Sequence, residues 1–453
     1  MTERLLIVGG DAAGMTAAAT ARRRRPADEL EIVAFERGVY TSYSACGIPY
    51  LIGGLVESVD ALVARGPAEH ERRGVDVRTR AEVVAIDLDR ATVRVRDLDD
   101  GTEVDEPFDR LVLATGSTPR RPALPGADAA GIFGVQTLED GLAVRAAVDG
   151  REGAHGVVVG GGYVGLELAE ALVRRGLHVT IVEAAAQPMT TLDPEMGALV
   201  ADALGEVGVT VRVGERVEGF EVEAGTVRAV RTSAGVTLPA DVVILGLGVR
   251  PNSELAAAAG LAVGAAGGVT VDDHTVTSAA GIYAAGDCVE SFHRVSGRPI
   301  VAALGTHANK QGWVAGINAT GGDATFPGVL GTAATKICRF EVARTGLNEQ
   351  EAADAGFEAF AASIDTTTRA GYFPGATPIR VRIVVETSSG RLLGAQIVGE
   401  EGAAKRIDVL ATAIWNEMTV EEVVSLDLSY APPFGPVWDP ALIAARAGAA
   451  QRR

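Results

Sequence analysis

One pattern occurs twice in this chain, and it restricts the fold more than any other feature. RLLIVGGDAAGMTAAATARRRR, at 4–25, and GVVVGGGYVGLELAEALVRRG, at 156–176, each read as an apolar run, a glycine-rich turn and a helix rich in Ala or Leu. A second apolar run that stops at an acid follows each: EIVAFE ends at Glu36 and HVTIVE at Glu183. Strand, turn, helix, strand and acid in this order suit a dinucleotide. The helix start receives the pyrophosphate and the carboxylate receives the ribose hydroxyls. Gly160, Gly162 and Gly165 complete the GxGxxG pattern. In the first unit Gly9, Gly10, Ala13 and Gly14 surround an acid, Asp11, at the position of the middle glycine. Two units predict two dinucleotide sites on an α/β fold.

The segments between and after the units look like passages. FDRLVLATGSTPRRPALPG (108–126) is an apolar strand that leaves through Thr115, Gly116 and prolines, and DVVILGLGVRPNSEL (241–255) leaves through Gly248 in the same way. HTVTSAAGIYAAGDCVE (274–290) delivers Asp287 to the expected start of a helix, where a carboxylate can accept from ligand hydroxyls. From about Phe326 the texture changes to strand, turn, strand and helix, with PIRVRIVVETSSGRLLGAQIVG and KRIDVLATAIWNEM. That is the pattern of an α+β domain with an antiparallel sheet. The expected division is 1–115 with 247–325, then 116–246, then 326–453.

With 41 basic and 59 acidic residues the formal charge is −18, which argues against nucleic acid as a partner. No long uncharged apolar run and no signal-peptide layout occurs, so no membrane partner and a cytoplasmic location are expected. The three cysteines, Cys46, Cys288 and Cys338, are too scattered for a disulfide framework or a zinc set, and no metal site is expected. Any thiol chemistry uses one protein cysteine at a time. Cys46, in TSYSACGIPYLIGG, precedes an expected short helix, whose start would lower the thiol pKa. Cys288 beside Asp287, and Cys338 in the apolar strand TKICRF, read as structural.

In order along the chain, GGDAAG with Glu36, ATGSTP, GGGYVGLE with Glu183, LGVRPN and AAGDC resemble the pyridine nucleotide-disulfide oxidoreductase family from end to end. The resemblance implies FAD on the first unit, with Arg37 and Asp287 among its contacts, nicotinamide nucleotide on the second, and a C-terminal dimerisation domain. It makes Tyr163 a gate over the flavin and Glu167 an organiser of the nicotinamide site. Glu183, followed by three alanines and no arginine, favours NADH over NADPH, though NADPH stays possible. Many family members carry a CxxxxC pair; here Leu51 stands where the second cysteine would, and 425–453 has no histidine.

A single cysteine in SACGIPY, with RAGYFPGATPIRV and SYAPPFGPV, is similar to the branch containing coenzyme A-disulfide reductases, persulfide and polysulfide reductases and NADH oxidases. This implies a homodimer in which Cys46 is the redox partner of the flavin, and Tyr372 and Tyr430 reach toward the sulfur site from the partner subunit. A coenzyme A-like substrate would meet Arg23, Ser42, Asn309 and Lys310. Ala45 stands where coenzyme A-disulfide reductases usually carry Asn. The expected acceptor is a small disulfide, persulfide or polysulfide. A water-forming oxidase acting on O2 through a Cys46 sulfenic acid, and a ferredoxin reductase, are the alternatives.

Overall fold

The structure is a computed structural model that describes residues 2–452. Its first parallel sheet has the order Ile282–Ala284, Arg110–Leu113, Glu3–Val8, Leu30–Glu36, Asp76–Thr79. The strand Glu3–Val8 is central and turns almost fully inward, which is why its sequence is a continuous apolar run rather than an alternation. The second parallel sheet repeats the scheme with Thr210–Val213, His178–Glu183, His155–Val159, Val242–Leu245 and Ile132–Phe133. In both sheets the strand carrying the glycine turn lies between the strand that ends in the acid and the strand that leaves for the other unit.

The second sheet is inserted between the fourth and fifth strands of the first. The two passages expected from the sequence pair with one another: Ser117–Pro119 runs antiparallel to Val249–Pro251. Asn252 fastens this crossing, donating from Nδ2 to the Thr115 carbonyl at 2.8 Å and accepting from Thr118 Oγ1 at 2.7 Å. The remaining large sheet is antiparallel, in the order Ala333–Ile337, Phe340–Gly346, Leu392–Gly399, Pro378–Glu386, Ala359–Thr367. The helices Ile407–Trp415, Val420–Val424 and Pro440–Arg452 complete this part, and its core is separate from those of the parallel sheets. No helix among the described residues is long and apolar enough to cross a membrane.

Two local expectations fail. No helix starts at Asp287: after it the chain bridges Val289 to Val269 and enters the strand Ser291–Phe292, so Asp287 sits in a turn. Cys338 is not within a strand but in the tight hairpin between Ile337 and Phe340, with φ 52°. There its backbone N–H donates to Glu170 Oε2 at 2.8 Å.

The helices Ala12–Arg24 and Gly305–Asn318 lie in backbone contact. A Cβ at Gly312 would sit 2.2 Å from the Ala13 carbonyl oxygen, and one at Gly316 2.5 Å from that of Ala17. Gly312→Val should therefore lower stability by about 1–3 kcal/mol through overpacking. Denaturant unfolding followed by intrinsic fluorescence measures it.

Candidate active site

Both glycine turns have the same geometry. Gly9 and Gly160 have φ of 115° and 100°, and a Cβ at either would lie within 2.4 Å of the carbonyl oxygen of Ala114 or Gly246 respectively. A Cβ at Gly14 or Gly165 would meet the carbonyl oxygen of Gly9 or Gly160 at about 2 Å. The acids are placed alike. Glu36 accepts from the N–H of Gly10 and of Gly38, both at 2.7 Å, and Glu183 from those of Gly161 and Ala185, at 2.7 and 2.8 Å.

The helices that follow, Ala12–Arg24 and Tyr163–Arg174, carry no side-chain cap. By contrast the helices Leu138–Val148, Glu349–Asp354 and Val420–Val424 each have a full capping box. Uncapped N–H groups at a helix start, beside a turn with no side chain and an acid at ribose distance, fit the two ends of a dinucleotide at each place. The residues present therefore suit both implied cofactors.

Asp11 explains how the first turn departs from the pattern. The equivalent Gly162 faces open space, so a side chain is sterically allowed there. Asp11 does not cap its helix; its Oδ1 accepts from the N–H of Tyr43 at 3.2 Å. Burial, with Glu36 and Asp287 nearby, pushes its carboxyl up to about 7. The raised pKa lessens, without removing, the like charge that Asp11 would set beside a phosphate. Asp287 is held by Ser117 Oγ at 2.9 Å, and its pKa too is raised by burial. Arg37, Thr115, Gly116 and Gly248 lie on the rims of these crevices, Gly116 and Gly248 with positive φ.

Cys46 lies in the short 3-10 turn Ala45–Gly47, which runs into the helix Ile48–Ile52. The residue is exposed. Its thiol pKa is raised, not lowered as the helix start suggested. Shielding of the sulfur by surrounding protein is the largest cause, and Glu167, Asp287 and Asp11 add negative potential, outweighing the backbone hydrogen bond that favours thiolate. Glu167 accepts from Thr335 Oγ1 at 2.8 Å, and burial raises its own pKa. The acid that the sequence placed near the nicotinamide thus also faces the cysteine. Tyr163 starts its helix with a hydroxyl that is buried and has no hydrogen-bond partner, as has the hydroxyl of neighbouring Thr191.

A cavity of about 280 Å3 runs along the first helix, lined among others by Asp11, Arg23, Ser42, Arg65 and Asn309. It separates the arginine run into roles. Arg22 is spent on the carbonyls of Gly74, Arg25 and Leu30, Arg24 on Thr320, and Arg25 on Glu3, whereas Arg23 reaches the cavity. Asn309 is oriented by Thr16 Oγ1 at 2.8 Å and by the Gly305 carbonyl at 2.8 Å. Lys310, one residue on, turns the other way, into a separate cavity of about 650 Å3 with His307, Trp313 and Trp415. The structure thus brings together three of the four expected substrate residues. Arg65 and Ser44 also line the cleft; Ser44 belongs to the stretch around Cys46, whereas nothing in the sequence near Arg65 marks it, because a loop returning from a distance places it there. Tyr372 and Tyr430 lie in the C-terminal part, 77% and 46% exposed, and the interaction between the two phenols raises the pKa of Tyr430. Cys288 is fully buried, its Sγ against the carbonyls of Leu113 and Ala285.

Alkylation of the reduced protein by iodoacetamide, followed against pH, should give a midpoint for Cys46 above that of a free thiol. Glu167→Gln should move the midpoint down, because a neutral amide no longer opposes the thiolate.

The described geometry agrees with the comparisons with known proteins. Residues 3–312 match the model of the pyridine nucleotide-disulphide oxidoreductases, and 332–441 that of their dimerisation domain. The chain is 38% identical over 451 residues to a Pyrococcus horikoshii protein named NAD(P)H coenzyme A polysulfide/persulfide reductase, covering 98% of each. It is 37% identical to a Methanocaldococcus jannaschii protein named NADH oxidase, again covering 98% of each. Among solved structures, a NAD-dependent persulfide reductase from A. fulgidus superposes with a TM-score of 0.96 at 40% identity, over 99% of this chain and 83% of that one. The chain belongs to the pyridine nucleotide-disulphide oxidoreductase family, enzymes that use FAD and NAD(P)H.

Proposed function

We propose that the chain is an FAD-dependent, NADH-using reductase of small disulfides, persulfides or polysulfides that works through Cys46 alone. The observation that carries this reading is a single exposed free cysteine whose thiol feels the charges of Glu167 in the second unit and of Asp11 and Asp287 in the first. A lone thiolate needs a second sulfur from the substrate. Cys46 attacks that sulfur, a new S–S bond forms to Cys46, and the old bond breaks to release a thiolate. Bound FAD supplies the two-electron relay from NADH that returns the mixed disulfide to a Cys46 thiolate and a second free thiol. Glu36, Asp287 and the first glycine turn hold the flavin nucleotide, with Arg37, Thr115 and Gly116 at its edges. Gly160, Gly162, Gly165, Glu183 and Gly248 hold the nicotinamide nucleotide.

Glu167, with its raised pKa, can carry a proton beside Cys46. It takes the proton when the thiol ionises and returns one to the leaving thiolate. Tyr163 covers the flavin site and moves for the nicotinamide. The cleft with Arg23, Ser42 and Asn309 suits a phosphate-bearing, coenzyme A-like thiol, since Arg23 and Arg65 supply positive charge, Asp11 is the one acid in the lining, and Glu69 pairs with Arg65 from outside it. The exposed pair Tyr372 and Tyr430 makes sense in a homodimer, where a second copy brings these phenols to the sulfur site. The phenols lie close enough for Tyr372 to raise the pKa of Tyr430, which supports use as a unit. A cytoplasmic location follows from the thiol chemistry, which needs a reducing compartment.

Cys46→Ser should abolish NADH consumption with coenzyme A disulfide, persulfide and polysulfide while leaving anaerobic flavin reduction by NADH intact. Full turnover in that variant would end this reading. Rapid oxygen uptake that depends on Cys46 and needs no added sulfur substrate would instead favour the oxidase. For cofactor choice, Glu183→Ala should narrow the NADH over NADPH preference in kcat/KM by about tenfold, the order expected for losing one charge-assisted contact to the ribose.

A further inference from the structure

Ser42 lines the substrate cleft with a left-handed backbone, φ 48°, a conformation that residues with a Cβ keep only when their surroundings impose it. Here every polar atom of the residue is engaged. Its N–H donates to the Gly10 carbonyl at 3.0 Å, its own carbonyl accepts from the N–H of Ala64 at 2.9 Å, and its Oγ pairs with His70 Nε2 at 3.0 Å. The next two N–H groups are also held, Tyr43 by Asp11 Oδ1 at 3.2 Å and Ser44 by the Leu62 carbonyl at 2.9 Å. Cys46 stands two residues further on.

His70 comes from the helix Pro67–Arg72 and is buried, 3% exposed. It does not line the cleft, whereas Ser42 does. Burial, with Arg65 and Arg73 outweighing Glu69, keeps the ring below its ordinary pKa and neutral. A neutral imidazole presents at Nε2 either a donor or an acceptor according to its tautomer, and in both cases the bond holds the Ser42 hydroxyl in one direction. Two further directional groups in the cleft are also held: Asn309 by Thr16 and Gly305, and Asp11 by Tyr43. A serine hydroxyl left to itself turns freely, and His70 removes that freedom.

We propose that His70 is a positioning residue for the substrate: by fixing the Ser42 hydroxyl it sets how tightly the cleft holds an anionic, phosphate-bearing thiol carrier, which it never touches. The proposal rests on the coenzyme A-like reading of the cleft. It also assigns a role to a buried histidine that the redox chemistry does not use. Arg23 and Arg65 draw the anion in by charge, and Ser42 and Asn309 select its shape by direction.

The test is a double-mutant cycle on holoproteins, with His70→Leu, Ser42→Ala and both together, and with flavin absorbance per chain as the check on folding. KM and kcat are measured with coenzyme A disulfide and with inorganic polysulfide, and binding of coenzyme A to the oxidised protein by calorimetry. His70→Leu is expected to raise the coenzyme A disulfide KM and the calorimetric Kd roughly three- to tenfold, the effect of one hydrogen bond, with kcat and the polysulfide KM within about twofold of wild type. On top of Ser42→Ala it should add nothing, because both changes remove the same bond. His70→Gln, whose amide reaches the place of Nε2, should restore the coenzyme A disulfide KM. Effects that add, that fall equally on both substrates, or that His70→Gln does not rescue would overturn the positioning role. Absence of coenzyme A binding and of coenzyme A disulfide turnover in the wild type would overturn the carrier reading and this proposal with it. Cys46-dependent polysulfide reduction would still stand in that case.

Discussion

At Gly14 and Gly165 the start of a helix touches the end of the strand before it, backbone against backbone, with no room for a methyl group. That contact sets the direction in which each helix leaves its sheet. It points the uncapped N–H groups into a crevice at the carboxyl ends of the strands, where an acid from the neighbouring strand waits. The first glycine turn in turn anchors the loop that carries Cys46. Gly10 and Asp11 hold Ser42 and Tyr43, and through them the turn that carries Cys46. The position of the thiol is therefore a consequence of how the first phosphate turn is built.

A second set of contacts relates the nicotinamide unit to the antiparallel domain. Asp193, 3% exposed in its side chain, accepts from Arg382 Nε at 2.8 Å and Gln396 Nε2 at 2.7 Å, and its N–H donates to Gln396 Oε1 at 2.8 Å. Arg344 holds the Thr191 carbonyl at 3.0 Å, and Thr335 holds Glu167. Buried charges such as these are costly to leave unpaired, about 3–5 kcal/mol when one partner is removed. The loop beside Tyr163 is thus pinned from the C-terminal side.

The electrostatics of the cysteine show the limits of local reasoning. A helix start after Cys46 does exist, but it is five residues long and weak. Glu167 is 121 positions away in the chain and Asp287 further still, and both oppose the thiolate. The same holds for Asp287, which the sequence around it marks as a helix start; the pairing of Val289 with Val269 draws the chain into extended structure instead. Arg23 and Lys310 are instructive together. Both are basic residues on helices beside the cleft, yet only the rotation of each helix against its neighbour decides which one faces the ligand.

The sequence by itself determined the two glycine-turn units, the acids that end their second strands, the passages between them and the isolation of Cys46 from any second cysteine in a CxxxxC pair. These depend on patterns within about 30 residues, where apolar period, glycine placement and one carboxylate are enough to specify a strand, a turn and a ribose contact. Tertiary structure alone decided the protonation preference of Cys46, the tethering of Glu167 by Thr335, the division of labour within Arg22–Arg25 and the support of Ser42 by His70. Each of these depends on burial and on charges brought from distant segments, and neither quantity exists until the chain has closed on itself.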